Sequence, residues 1–171
     1  MDLLVIRARA VLVKTRTQGV NSVRGMVKSF GYRMPKCSTE RFVKLKNEVP
    51  EKLRERLGPL MEVLEQVQKE IEEYDQRVEK LATEKYPETT VLQQIWGVGE
   101  ITSVSYVLTI EDKERFEKSR DVGPYLGLRP RRSQSSDSDP ELRITKAGDC
   151  FLRSLLVECH ESWRSCCTSS G

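Results

Sequence analysis

The stretch RPRRSQSSDSDPELRITKAG, residues 129–148, gathers residue types that could act on a phosphate ester. Arg129, Arg131 and Arg132 run directly into Ser133, Gln134, Ser135 and Ser136, and Arg143 and Lys146 follow the loop. Guanidinium and ammonium groups can hold a phosphate and stabilise the charge that grows on its oxygens during displacement. A serine hydroxyl, however, is a weak nucleophile until a base or strong electrostatic help activates it. No histidine lies near the loop in sequence, and His160 is the only one in the chain. Two readings of these residues stand side by side: a phosphate-binding loop with a nucleophile, or a solvated serine-rich connection. No apolar residue lies between Arg131 and Pro140, so either reading requires exposure. Asp137, Asp139 and Glu141 show no calcium-loop pattern and read as solvated.

A second candidate is LQQIWGVGEITSVSYVLTI, residues 92–110, which reads as helix, tight turn, helix. Gly97 and Gly99 flank Val98 at the turn. Two glycines there allow close helix approach and leave backbone N–H groups pointing outward at the start of the second helix, a geometry that can hold a phosphate without a side chain. The pattern resembles a helix-hairpin-helix element; a simple packing turn fits the same residues.

A third is the charge at the N-terminus. Residues 1–46 carry 11 Lys and Arg against Asp2 and Glu40, whereas residues 47–90 carry 7 basic against 12 acidic groups. A basic head joined to an acidic arm favours a polyanionic partner for the head. Leu3, Ile6, Ala10, Val13, Val20, Val23 and Val27 recur at helical intervals, which predicts a helix over residues 2–29 ended by Gly31. On its other faces Arg7, Arg16 and Arg24 could line a nucleic-acid backbone, giving salt-sensitive affinity without sequence choice. The same arginines could instead pair with acids of the arm.

These candidates must be positioned by the segment between them. From Leu53 to Leu81 the residues Leu53, Leu57, Leu60, Leu64, Val67, Ile71, Tyr74, Val78 and Leu81 recur in steps of four and three, with charged residues between. That repeat predicts a coiled-coil arm that pairs in cis or in trans, by self-association or by the basic helix folding back antiparallel. Gly58 and Pro59 predict a break or kink near its start, since proline lacks the N–H and its ring clashes one turn back. Tyr86-Pro87 predicts its end. Ser38 or Thr39 can cap a short helix before the arm, and Thr89 or Thr90 one after it. Phe116 reads as a core anchor, with Val122, Tyr125, Leu126 and Leu128 buried nearby. Gly148 and Asp149 precede an apolar helix bearing Phe151, Leu152, Leu155, Leu156 and Cys159.

The expected fold class is therefore mainly α: a long coiled-coil arm followed by a small helical domain with a helix-hairpin-helix-like element. The 171 residues, 32% charged and 37% hydrophobic, suffice for one domain plus an extension. No apolar run reaches membrane-spanning length, and the first residues, MDLLVIRARAVLVKTRTQ, do not form a secretion signal. Five irregularly spaced cysteines and one histidine give no zinc pattern, which predicts a reduced, cytoplasmic chain with no metal ligand set of its own.

Taken together, RARAVLVKTRTQGVNSVRGMVKSFGYRMP, LQQIWGVGEITSVSYVLTI, RFEKSRDVGPYLGLRP, the SQS loop and RITKAGDCFLRSLLVE resemble, in order and spacing, the transposases of the IS110/IS116/IS902 insertion-sequence family, also described as RNA-guided serine recombinases. The resemblance implies an N-terminal RuvC-like nuclease domain with metal-binding acids, a coiled-coil linker and a C-terminal serine domain. Residues 1–35 correspond to the last helix of the first domain, 36–88 to the linker and 89–171 to the serine domain, with both ends truncated or altered. Mg2+ is then expected only in the RuvC-like domain missing from this chain. The implied partners are DNA and a guide RNA encoded by the element. The family's serine-glycine signature falls on Ser135-Ser136, which implies Ser135 as the nucleophile, with Ser136 standing where glycine is usual. The resemblance thus implies a DNA-binding recombinase acting in transposition; the alternative is a catalytically inactive nucleic-acid-binding remnant.

Overall fold

The computed structural model describes residues 1–131 and 142–168, and helices dominate it. In chain order they are α1 (Asp2–Ser29), α2 (Thr39–Val43), α3 (Glu51–Lys80), α4 (Thr89–Leu92), α5 (Glu100–Ile110), α6 (Val122–Tyr125) and α7 (Cys150–Thr168). Among the described residues the nearest approach to a sheet is a single antiparallel bridge, Pro130 to Ile144. No described helix is long and apolar enough to cross a membrane. Chain contacts divide the protein into two compact units, Met1–Glu79 and Lys80–Gly171.

In the first unit α1 runs antiparallel to α3. Arg9 Nε bonds Asp75 Oδ1 at 2.6 Å and Arg16 bonds Gln68 Oε1 at 2.6 Å, so seven residues forward on α1 match seven backward on α3. The same register sets Val20, Val23 and Val27 level with Leu64, Met61 and Leu57, and all six share one buried cluster with Phe42, Val43, Val49 and Leu53. At the crossing a Cβ on Gly19 would collide with the Leu64 side chain. Glycine at 19 thus lets the two helices approach.

This seam differs from the sequence expectation at alternate positions. Leu53, Leu57, Leu64, Ile71 and Val78 are buried as expected, but Met61 and Gln68 are buried where Leu60 and Val67 were expected. Leu60, Val67 and Tyr74 are half-buried. The reason lies on the facing helix: Arg9 and Arg16 sit in its seam and supply hydrogen bonds that make Asp75 and Gln68 acceptable there. Apolar spacing within α3 alone carries no trace of that pairing.

Pro59 lies inside α3 and does not interrupt it. Proline removes one backbone bond and crowds the residue before it. Here that residue is Gly58, whose missing Cβ relieves the crowding, and Leu53, Leu57 and Met61 hold the helix to one core on both sides. Ser38 caps α2 as expected, its Oγ accepting from the Arg41 N–H at 3.3 Å.

The second unit begins where the arm loosens into one π-helical turn, Leu81–Lys85, closed by the Tyr86 N–H on the Leu81 carbonyl at 3.0 Å. Thr89 does not cap α4 but is buried at its first position. Its hydroxyl lies 2.7 Å from the Tyr86 carbonyl and 3.1 Å from that of Ala82, so it satisfies acceptors near the wide turn. Helix α5 packs on α4 and α7. Its buried residues include Thr102, Ser103 and Ser105 beside Val104 and Ile110. The Ser103 and Ser105 hydroxyls donate to the Glu100 and Ile101 carbonyls, which lets small polar residues line a close helix contact. Phe116 packs edge-on against Tyr125 with ring centroids 5.3 Å apart. Leu126 is fully buried, whereas Tyr125 is exposed, contrary to expectation.

Candidate nucleic-acid interface

The second unit brings Arg129, Arg131 and Arg143 together through the backbone. The Arg131 N–H donates to the Arg143 carbonyl at 3.0 Å and the Thr145 N–H to the Arg129 carbonyl at 2.9 Å. In this antiparallel arrangement Arg131 lies opposite Arg143 and Arg129 opposite Thr145, and the Arg131 guanidinium donates to the Thr145 carbonyl at 3.4 Å. All three are exposed, and none has an acidic partner among the described residues. Like charges directly opposite each other destabilise such a pairing. An anion between them reverses that sign.

The bridge is held by a tight backbone crossing behind it. Gly127 and Gly148 have φ of 71° and 74°, and a Cβ on either would strike the backbone of the facing segment, Ala147 for Gly127 and Tyr125, at the end of α6, for Gly148. Only glycine fits both demands at once. Arg153 on α7 donates to the Leu126 and Ala147 carbonyls at 3.1 and 2.7 Å, so this cation closes the crossing from the helix side. Asp149 starts α7, its Oδ1 accepting from the Leu152 N–H at 2.7 Å. Lys146, exposed, follows the bridge with a φ of 58°. Arg132 and Ser135 lie outside the described residues, between the two arms of this bridge in sequence.

The glycine turn shows the packing character that the sequence left open beside the helix-hairpin-helix reading. Gly97 has a φ of 84°, and a Cβ on it would press on the backbone of Cys159 in α7. The Cys159 thiol in turn lies 2.9 Å from the Gly97 carbonyl. Gly97 is therefore a packing position as well as a turn position. Gly99, in extended backbone with open space at its Cβ, precedes α5, whose first turn has no side-chain cap. The helix before the turn is the single turn α4. Beside it Val91, Ile95 and Trp96 are all more than half exposed, which the sequence reading did not single out. Their exposure depends on which face α5 covers.

In the first unit the three sequence-selected arginines part company. Arg7 is exposed. Arg16 is 5% exposed and bonds Gln68 at 2.6 Å and Glu40 at 3.3 Å, so it is a seam residue rather than a surface one. Arg24 is half-buried: it donates to the Cys37 carbonyl at 2.7 Å, and its guanidinium lies 4.8 Å from the centre of the Phe42 ring. The exposed positive charge at this end comes from residues the spacing argument passed over, Lys28, Arg33 and Lys36. Among the described residues no group of three His, Cys, Asp or Glu side chains is arranged to hold a metal ion.

Residues 89–169, which contain α4 to α7 and the arginine bridge, match the family described as Transposase IS116/IS110/IS902. That part of the chain, residues 89–169, belongs to this transposase family. The transposase for insertion sequence element IS1111A of Coxiella burnetii is 30% identical over 163 residues, covering 91% of this chain and 44% of its own. The transposase for insertion sequence element IS1328 of Yersinia enterocolitica is 28% identical over 169 residues, covering 90% and 47%. A probable family 20 transposase of Pseudomonas aeruginosa is 26% identical over 174 residues, covering 95% and 50%. The chain thus spans about half the length of the curated relatives it matches. No solved structure matches it significantly.

Proposed function

We propose that the chain acts in insertion-sequence transposition as a DNA-binding part of a transposase, and that Arg129, Arg131 and Arg143 grip a DNA phosphate next to the serine loop. One observation carries this reading: a backbone bridge sets Arg131 directly opposite Arg143 with Arg129 close by in the chain, and none of the three has an acidic partner among the described residues. Like charges held that way are favourable only with an anion between them. Arg132 and Lys146 add charge at the same neck in sequence. The uncapped start of α5 after Gly99, and exposed Arg7, would add weaker, sequence-independent backbone contacts.

In this reading Ser135 is the nucleophile. Its hydroxyl oxygen forms a bond to the phosphorus held by the arginines as the bond to one ester oxygen breaks. The hydroxyl proton passes to solvent or to the departing oxygen, leaving a protein–DNA phosphodiester. The Mg2+ expected from the family belongs to acids of a RuvC-like domain, and no step proposed for this chain passes through it. A guide RNA and self-association through the arm remain part of the same proposal, as partners of a longer relative.

The test is duplex binding across a range of salt, with Arg129, Arg131 and Arg143 all changed to Gln. Three lost phosphate contacts should flatten the dependence of log affinity on log salt by up to about 2.7. An unchanged slope in a folded variant removes the arginine grip. For Ser135, residues 36–171 joined to a family N-terminal domain should trap a denaturation-resistant protein–DNA species that Ser135→Ala abolishes. An adduct that persists in Ser135→Ala assigns the nucleophile elsewhere.

A further inference from the structure

We propose that a hollow at the C-terminal end of α1 seats a single-stranded polynucleotide segment, with Lys28, Arg33 and Lys36 on its phosphodiesters and the Tyr32 ring under a base. This rests on the reading that the chain handles nucleic acid, and it adds to exposed Arg7 a second contact in the first unit, at the end of α1. The hollow, about 480 Å³, is lined by residues 32–37 with Arg24 and Lys28, and no acidic side chain lines it.

Its walls are fixed by local rules. Gly31, with a φ of 82°, ends α1: its own N–H donates to the Lys28 carbonyl at 3.0 Å and the Tyr32 N–H to that of Val27 at 3.2 Å. That closure turns the chain back over the helix end, and Pro35 keeps it extended. Arg24 then pins the far side through the Cys37 carbonyl and the Phe42 ring. Arg24 is thereby committed to the wall. The Lys28, Arg33 and Lys36 side chains have no hydrogen-bonding or acidic partner among the described residues, so their charge is available.

Charge and shape together select the ligand class. Three free cations around one hollow favour a chain of phosphates over a single anion. A cavity of this size accepts a nucleotide but not a duplex. Tyr32, 38% exposed in the wall, offers a ring face that only an unstacked base can use. DNA and RNA single strands share this chemistry.

The experiment uses the full chain and labelled mixed-sequence oligonucleotides as single-stranded DNA, single-stranded RNA and duplex, over a range of KCl. The combined Lys28→Gln, Arg33→Gln and Lys36→Gln variant should flatten the single-strand salt dependence by up to about 2. Tyr32→Leu should weaken single-strand binding about tenfold with duplex binding unchanged, and Tyr32→Phe should retain it. Stronger effects on one of the two strands identify the DNA or RNA source. All four side chains are exposed, so unfolding midpoints should match wild type; if the triple variant fails to fold, Arg33→Gln and Lys36→Gln singly should each flatten the slope by up to about 0.7. A folded triple variant with the wild-type slope on both strands overturns the proposal, as does equal loss on single strands and duplex in Tyr32→Leu. Competition by inorganic phosphate as effective as by oligonucleotide, phosphate for phosphate, also overturns it in favour of a small-anion site. A wild-type chain that binds no nucleic acid sinks this inference and the DNA reading together. An unchanged slope in the Arg129, Arg131 and Arg143 variant sinks the arginine grip alone.

Discussion

Replacing Arg16 by Met separates two roles that its position in the sequence leaves open. Methionine keeps most of the apolar stem and its packing while removing the guanidinium. The Gln68 oxygen, on a side chain only 9% exposed, then loses the donor now 2.6 Å away. An acceptor left unsatisfied in such a place costs about 1–3 kcal/mol. Loss of the contact to Glu40 adds little, because that carboxylate is 63% exposed and its partner lies 3.3 Å away. The expected destabilisation is about 2 kcal/mol, or roughly 8–16 °C in the unfolding midpoint of a unit this size. Adding Gln68→Leu should recover most of it, since replacing both buried partners by apolar groups is close to neutral. Urea unfolding of wild type, both single variants and the double variant, followed by circular dichroism, gives the coupling energy, expected at about 1–2 kcal/mol. Additivity within about 0.5 kcal/mol would refute the seam contact. So would an Arg16→Met variant of wild-type stability whose DNA affinity has lost part of its salt dependence.

Leu64 and Ile71, each 2% exposed, face the same seam, so replacing both by Asp should unfold the first unit and lower helicity measured by circular dichroism. Retained helicity and an unchanged unfolding midpoint would contradict the packing of α1 on α3. In the second unit Gly127→Ala meets both a positive φ and the backbone of Ala147, and should destabilise by at least about 1–3 kcal/mol in thermal unfolding. Because that crossing carries the arginine bridge, the same variant should also weaken duplex binding; wild-type stability would show that the crossing is loose.

The local chemistry was largely legible in the chain itself. The helical spans of α1 and α3, the Ser38 cap, the Gly31 end and the Tyr86-Pro87 stop depend on near neighbours, and each appears where the sequence put it. Family membership was legible too, because order and spacing of motifs survive in the primary sequence. The tertiary structure decided what lies opposite what. Pairing α1 with α3 moved Arg16 and Gln68 into the seam and released Leu60 and Val67 toward its edge, since a buried polar group is tolerated only against a partner from a distant segment. Pro59 passed into a helix because a core on both sides of it outweighs one missing backbone bond. The arginine bridge likewise joins residues 129–131 to residues 143–145, and no periodicity within either arm encodes that Arg131 meets Arg143. At Gly127 and Gly148 the need for glycine came from a second backbone pressed against the first. Sequence sets the conformations a segment can adopt; the facing segment, absent from any local window, determines which side chains are spent on folding and which remain for a ligand.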